Sequence, residues 1–172
     1  MSTLGPLDGH VVGNILAALC TTDESGFYHW VIYVCTENDS GYKFHAHNDS
    51  NKGPWRYHRG KWDALSSIHC VCITKIGRLA EGKTWEDVDR AVEHIPMAVP
   101  DVDRPRFGNM FTCLVWFREA IRKLHTAGIS RVIDLDRLEE NLRQLATAME
   151  YRRRAGYGGN TPVIMAPSDY TY

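Results

Sequence analysis

The residue best placed for chemistry in this sequence is Cys113, because it falls where a helix is predicted to begin. It opens the stretch "CLVWFREAIRKLHTAG", in which apolar residues repeat at spacings of three and four until Gly128 ends the pattern. Asn109 or Thr112 can cap this helix, and either cap leaves Cys113 in its first turn. The helix dipole and the free N–H groups of a first turn stabilise a thiolate, so we expect a lowered pKa for Cys113.

A nucleophilic thiol needs a base, and histidines on two consecutive predicted strands offer one. His29 lies near the start of "YHWVIYVCT" (28–36), and His45 and His47 lie on one face of "GYKFHAH" (41–47). In an antiparallel hairpin the start of one strand lies beside the end of the next, so we expect His29 to approach His45 or His47. A cysteine, a base and a third polar group that orients the base form the catalytic set of thiol enzymes.

Other interpretations compete with a thiol enzyme. A cysteine flanked by apolar residues is commonly a small core residue, and a histidine at a strand end commonly bonds the backbone. His45 and His47 could also bind a metal ion, with His58 or His29 on a neighbouring strand as the third ligand. A barrel-type metal site would place a glutamate a few residues later, and "NDSNKG" contains none.

A phosphate-binding loop is a further alternative, because "GRLAEGKT" (77–84) matches the pattern G-x-x-x-x-G-K-[ST] between a predicted strand and a predicted helix. Carboxylates at Glu81, Glu86 and Asp87 would repel a phosphate in such a loop. The parallel strand and helix units that a nucleotide-binding fold requires do not follow it. We therefore expect a surface turn here, and no cofactor.

The elements that must position these side chains change type halfway along the chain. Five stretches in the first half are short, rich in β-branched and aromatic residues, and separated by turn sequences, as is typical of strands. They are residues 14–22, 28–36, 41–47, 55–58 and 67–76. Both alternating sets of the second stretch are apolar, which indicates a central strand covered on both faces.

The second half has the period of helices. A short helix is predicted after Thr84, a long one from Met110 and another long one from Leu135. The tail "TPVIMAPSDYTY" fits an edge strand or a loose segment. The sequence thus predicts a single α+β domain over residues 1–172, with an antiparallel sheet of about five strands packed with two long helices and one short helix.

Composition excludes several classes of partner. With 20 Lys+Arg against 21 Asp+Glu, the net charge of −1 lacks the basic excess of a nucleic-acid binder. No window approaches the roughly 20 apolar residues that cross a bilayer, and the N-terminus does not resemble a signal peptide. Five cysteines without C-x-x-C spacing indicate neither a disulfide framework nor a zinc site. We expect a cytoplasmic protein that acts on a small-molecule or peptide-like substrate, in an oligomeric state that the sequence leaves open.

The order of three stretches resembles that of a known group of enzymes. "YHWVIYV", a following strand that ends in histidine, and a late "TCLVWF" that opens a helix resemble small fungal proteins similar to circularly permuted papain-like enzymes. These are relatives of the NlpC-type cysteine peptidases and of the lecithin retinol acyltransferase group. The resemblance covers about residues 10 to 130 as a pattern and is specific around "HWVIYV" and "CLVWF".

The resemblance implies a catalytic set and an activity. Cys113 matches the nucleophile, His29 the base and His45 the third member, with His47, Thr112 and Asn48 as supporting residues. The implied activity is that of a thiol-dependent hydrolase or acyltransferase acting on an amide, ester or thioester, in fungal secondary metabolism. The alternative is a non-catalytic ligand-binding module of the same fold.

This chain departs from the group at one point next to the nucleophile. Fungal members often read Asn-Cys-Gln before the tryptophan, whereas Thr112 and Leu114 flank Cys113 here. Without the glutamine side chain, only backbone donors are left to stabilise an oxyanion.

Overall fold

The computed structural model describes residues 10–49, 53–157, 159 and 162–165, which form an α+β fold around one sheet. The strands are β1 (Asn14–Thr21), β2 (Tyr28–Cys35), β3 (Gly41–His47), β4 (Arg56–Trp62), β5 (Cys70–Arg78) and β6 (Val163–Met165). The sheet order is β4-β3-β2-β1-β5-β6. The first five strands pair antiparallel, as predicted, and the short β6 lies parallel to β5.

Helices follow β5 along the chain. They are α1 (Trp85–Val92), α2 (Arg104–Phe107), α3 (Cys113–Thr126) and α4 (Leu135–Arg154), and a 3-10 turn at Asp101–Asp103 leads into α2. The two long helices and the short α1 were predicted, whereas the short α2 was not. None of the helices in the described ranges is long and apolar enough to cross a membrane.

The start of α3 differs from the prediction of a helix from Met110. The helix begins at Cys113, because Thr112 has an extended backbone and its side chain accepts a hydrogen bond from the Val115 N–H. Of the two predicted caps, Thr112 is therefore the one in use. Met110 lies outside the helix and is 72% exposed, so the apolar period that includes it is accidental.

The sheet separates two apolar clusters, and β2 contributes to both. The larger cluster lies between the sheet and the helices, and the smaller one covers the other face. Trp30, Ile32 and Val34 of β2 belong to the larger cluster, and Val31, Tyr33 and Cys35 belong to the smaller. This alternation explains why both faces of β2 are apolar in the sequence.

The strands β2 and β3 pair over only part of their length. Their register runs from Cys35 opposite Gly41 to Ile32 opposite Phe44. The N-terminal half of β2 does not pair with β3. Its backbone N–H and C=O groups on that side can therefore bond to another element. That opening receives the N-terminus of α3.

A buried ionic network ties α3 to α4 and to the segment before α3. Arg118 of α3 is 6% exposed and binds Asp103 at 3.1 Å and Glu139 of α4 at 2.8 Å. Arg106 also donates a bidentate pair of hydrogen bonds to the Glu139 carboxylate, at 2.9 and 2.7 Å. Because each buried charge has an opposite partner, the network tolerates its removal from water.

Candidate active site

Cys113 is the first residue of α3 and lies beside the open end of β2. Its Sγ donates a hydrogen bond to the carbonyl oxygen of Tyr28 at 3.7 Å, and the backbone N–H of Trp30 is bonded to the same sulfur. In an antiparallel strand these two backbone groups flank His29 and point sideways, here toward the side that β3 has left. The thiol therefore approaches the edge of β2 next to His29.

The environment of the thiol overturns the expected direction of its pKa. Burial raises the pKa of Cys113 above its ordinary value. Backbone N–H groups of Trp30, Leu114 and Cys113, together with the Arg143 guanidinium, act to lower the pKa of this thiol but do not outweigh desolvation. The helix N-terminus thus contributes as expected, and the surrounding apolar side chains, which the sequence did not reveal, decide the result.

A cleft of about 580 Å³ opens over the thiol, a volume within the usual range for a small-molecule site. It is lined by Thr22, Glu24, Phe27, Tyr28, His29, Trp30, His47, Asn48, Trp55, Phe107, Met110, Thr112, Cys113, Leu114 and Arg143. Two apolar residues on its rim, Phe27 and Met110, are 61% and 72% exposed. The cleft therefore combines a cysteine thiol and an imidazole with apolar surface that a ligand could cover.

Histidines from three neighbouring strands lie against one another beside this cleft. The Nε2 of His29 lies 2.5 Å from the Nδ1 of His45, and the Nε2 of His45 lies 3.1 Å from the Nδ1 of His58. His45 is only 7% exposed, and both of its ring nitrogens are used in these contacts. His47 packs edge-on against His58, with ring centroids 5.4 Å apart.

Five of the residues singled out in the sequence line the cleft, and two of the histidines lie outside its lining. Cys113, His29, His47, Asn48 and Thr112 line the cleft, and Thr112 also caps α3. His45 lies behind His29, away from the cleft lining. His58 entered the sequence interpretation only as a metal ligand, but the register of β3 and β4 places it directly opposite His45.

The thiol and the imidazoles reach the cleft from different faces of the sheet. Alternation along β2 puts His29 on the face opposite to Trp30, and α3 packs on the Trp30 side. The two faces meet where β2 and β3 diverge, and there the cleft is lined by Cys113, Trp30 and His29 together. The gap in the sheet is therefore what allows a thiol and a histidine on opposite faces to share one site.

Burial keeps the two inner imidazoles neutral. Desolvation, followed by the positive charges of Lys43 and His47, lowers the pKa of His29 to about 4. Desolvation, followed by the neighbouring His29, lowers the pKa of His45 to about 2. At neutral pH the resting site thus holds a neutral thiol beside neutral imidazoles, and a preformed thiolate and imidazolium pair is not its ground state.

Acid should destabilise the fold through His45. Its ordinary pKa of 6.5 applies in the unfolded chain, whereas the folded protein lowers that pKa to about 2. The unfolded state therefore binds more protons below pH 6.5, and stability present above that value is lost as the pH falls. Between pH 6.5 and about 5 the loss of unfolding free energy from His45 is about 2 kcal/mol. His29, whose pKa is lowered to about 4, adds a loss of similar size over the same range. Urea titrations at the two pH values should therefore show about half of the wild-type loss in His45→Gln, and a loss as large as that of the wild type would contradict the assignment.

The metal-site alternative gains no support from the described residues. Among them no group of three His, Cys, Asp or Glu side chains has an arrangement that could hold a metal ion. The physical reason lies at His45, because both of its nitrogens are hydrogen-bonded to other imidazoles and have no lone pair directed elsewhere.

The phosphate-loop alternative is disfavoured by the contacts of its lysine and threonine. The Nζ of Lys83 lies 3.5 Å from an oxygen of Asp87. Thr84 and Asp87 form the capping box of α1, with Thr84 N–H donating to Asp87 at 2.9 Å. The groups that would hold a phosphate are therefore used to start a helix, as a surface turn requires.

Arg143 is a cleft residue that the sequence interpretation missed. Its guanidinium lies 5.3 Å from the centre of the Trp30 ring, and its Nε donates to Glu139 at 3.2 Å. The positive charge lies close enough to Cys113 to lower the pKa of the thiol. No local pattern could have indicated this, because the approach depends on how α4 packs against β5 and β1.

Comparison with known proteins gives one family and no characterised relative. A family model described as "Family of unknown function (DUF6540)" matches residues 15–131. No curated protein and no solved structure matches the chain significantly. The matched range contains β1 from its second residue, β2 to β5 and the whole of α1, α2 and α3, and so includes Cys113, His29, His45 and His58. Arg143 lies outside it.

Proposed function

We propose that the chain, which belongs to DUF6540, a family of unknown function, is a thiol-dependent hydrolase or acyltransferase that acts on an amide, ester or thioester. The observation that carries the proposal is that Cys113 and His29 line one cleft while His45 holds the Nε2 of His29. The proposal assigns the Nδ1 of His29 as the acceptor of the thiol proton, once the thiol gives up its hydrogen bond to the Tyr28 carbonyl. The order of a histidine strand, a second histidine strand and a late cysteine helix supports a permuted papain-like arrangement as part of the same proposal.

The reaction begins with two neutral partners. As Sγ attacks the carbonyl carbon of the substrate, its proton passes to the Nδ1 of His29, which therefore acts as a general base in step with the attack. The thiol first gives up the hydrogen bond to the Tyr28 carbonyl. His29 then returns the proton to the leaving group, and water or an acceptor alcohol, amine or thiol resolves the acyl-enzyme.

Stabilisation of the developing oxyanion falls to backbone groups. The N–H groups of Cys113 and Leu114 already face the sulfur at the start of α3, where helix N–H groups have no partner within the helix. Arg143 adds a positive charge in the same cleft. These donors take the place of the glutamine side chain that similar fungal proteins carry after their cysteine.

The cleft fits a substrate with an apolar acyl or peptide-like group. Phe27 and Met110 on the rim, with Trp55 beside them, offer apolar surface near the thiol. Burying that surface against a ligand is favourable by about 25 cal/mol per Å². The cysteines of the described residues are all free, which supports action in a reducing compartment such as the cytoplasm.

The test is to trap the acyl-enzyme. Incubation with p-nitrophenyl acetate should release nitrophenolate and add one acetyl group, which peptide mass spectrometry should locate on Cys113. His29→Asn should slow this acylation about 100-fold or more, because the base is lost. His94→Asn changes an exposed histidine just after the end of α1, is the matched control and should react as the wild type does. Acetylation spread over lysines with none on Cys113 would overturn the proposal.

A non-catalytic binding module of the same fold is the second candidate, and one observation favours it. The thiol donates to the Tyr28 carbonyl and has a raised pKa, as a structural cysteine does. For such a module, Cys113→Ala should bind a cleft ligand as tightly as the wild type, and neither protein should turn over any acyl donor. An acyl group on Cys113 would eliminate this candidate.

A further inference from the structure

We propose that His58 is the outer member of a three-imidazole relay that takes up the positive charge formed on His29 when Cys113 loses its proton. The inference rests on the proposed function and deepens it, because it assigns a role to a residue outside the catalytic set. The geometry points to it directly, since His29, His45 and His58 are joined ring to ring by hydrogen bonds of 2.5 and 3.1 Å. His58 acts through its neighbours and does not touch the cleft.

If His29 acts as a base, its role determines which ring nitrogens of His29, His45 and His58 carry a proton. If Nδ1 is to accept the thiol proton, the ring proton of His29 must lie on Nε2 and be donated to the Nδ1 of His45. His45 must then carry its own proton on Nε2 and donate it to the Nδ1 of His58. His58 is therefore needed as an acceptor, because without it the buried Nε2–H of His45 would lose its partner.

Through the same contacts the positive charge can move from His29 to His58 while the total number of protons stays the same. The thiol proton moves to His29 Nδ1, the Nε2 proton of His29 moves to His45 Nδ1, and the Nε2 proton of His45 moves to His58 Nδ1. Cys113 is then a thiolate, His29 and His45 are neutral again, and His58 is the imidazolium. When His29 gives its Nδ1 proton to the leaving group, the other two protons move back and every ring returns to its starting form.

Burial decreases from His45 to His58, and this favours movement of the positive charge toward His58. His45 is buried, whereas His58 is exposed on β4, the edge strand of the sheet, where water can solvate an imidazolium. Partial burial lowers the pKa of His58, and so do His47 and Lys43, which face it from β3. On its own strand Arg56, two residues from His58, is paired with Asp49, and the adjacent Arg59 is paired with Asp89. His58 is thus neutral at rest and is charged only during the reaction.

Alkylation of Cys113 by iodoacetamide measures the relay without any substrate. A neutral thiol and imidazole that exchange one proton give an alkylation rate that does not depend on pH over the range in which His29 and His58 are both neutral, up to the raised pKa of the thiol. Above the thiol pKa the rate rises again through direct loss of the proton to water. The level of the plateau reports how well the imidazolium is stabilised, and the alkaline rise reports the thiol alone.

The test compares His58→Gln with the wild type over this pH range. The glutamine amide can still accept from His45 Nε2–H but cannot take up a proton, so we expect the plateau to fall about tenfold, equivalent to one pKa unit. The alkaline rise should stay where it is, because the thiol and its surroundings are unchanged. A substitution that distorted the packing around Cys113 would instead change both the plateau and the alkaline rise. The profile therefore distinguishes loss of the relay from a structural change.

Two controls keep the relay and the proposed function distinguishable. His94→Gln removes an exposed imidazole that contacts none of the cluster, and it should leave the whole profile unchanged. His29→Asn should abolish the plateau. If His29→Asn abolishes it and His58→Gln leaves it at the wild-type level, the relay is wrong and the thiol enzyme stands. If His29→Asn also leaves it unchanged, the proposed function fails and the relay fails with it.

Discussion

Cys113→Ala is expected to lower acyl turnover by about 1000-fold or more while the protein stays folded, because the substitution removes the only nucleophile of the proposed reaction. The change deletes one sulfur atom at the end of a helix, next to an open cleft, so it leaves little cavity. Steady-state hydrolysis of p-nitrophenyl acetate and a thermal melt, each measured on the same preparation, check the two parts of this expectation.

The effects of substituting Cys113 and His29 on turnover should not be additive. Nucleophile and base act in one step, so the double variant Cys113→Ala, His29→Asn should be no slower than Cys113→Ala alone. Cys20→Ala is the matched control, since Cys20 belongs to the apolar cluster on the other face of the sheet. It should keep wild-type turnover. Full turnover in Cys113→Ala would contradict the proposed chemistry whatever the substrate.

Arg118→Met is expected to lower the free energy of unfolding by about 3 kcal/mol. Arg118 is buried between Asp103 and Glu139, which are each 2% exposed, and its loss leaves both carboxylates with less compensating charge. A urea titration at neutral pH measures the effect. Arg104→Met is the matched control, because Arg104 pairs with Asp101 at the surface and should contribute less than about 1 kcal/mol. Equal effects of the two changes would contradict the role given to the buried network.

The sequence predicted the elements of this fold well because their signals are local. The five antiparallel strands follow from alternation and turn composition, and α4 begins at Leu135, as its apolar period indicates. The start of α3 was less certain, since Met110 continues the period by chance while the backbone of Thr112 ends it. The short α2 has four residues, too few for a period to be recognised.

For the candidate site, the sequence could single out residues by type but could not predict their surroundings. Cys113, His29 and His45 stand out by type and by their place on elements, but their surroundings come from distant parts of the chain. The raised pKa of Cys113 depends on packing in three dimensions, and the approach of Arg143 depends on α4. The contact between His45 and His58 needed only the β3 and β4 register, which hairpin pairing of those two strands would have indicated.

The divergence of β2 from β3 also determines when the site can exist during synthesis. The imidazoles of His29 and His45 are 16 residues apart and belong to one hairpin, whereas the contact of Cys113 with Tyr28 closes a loop of 85 residues. Local pairs form early, and a distant closure must wait for the intervening chain. A ribosome therefore releases the histidine hairpin well before the cysteine, and the gap stays unfilled until α3 arrives. The surroundings of Cys113 are thus completed only after most of the sheet has been made.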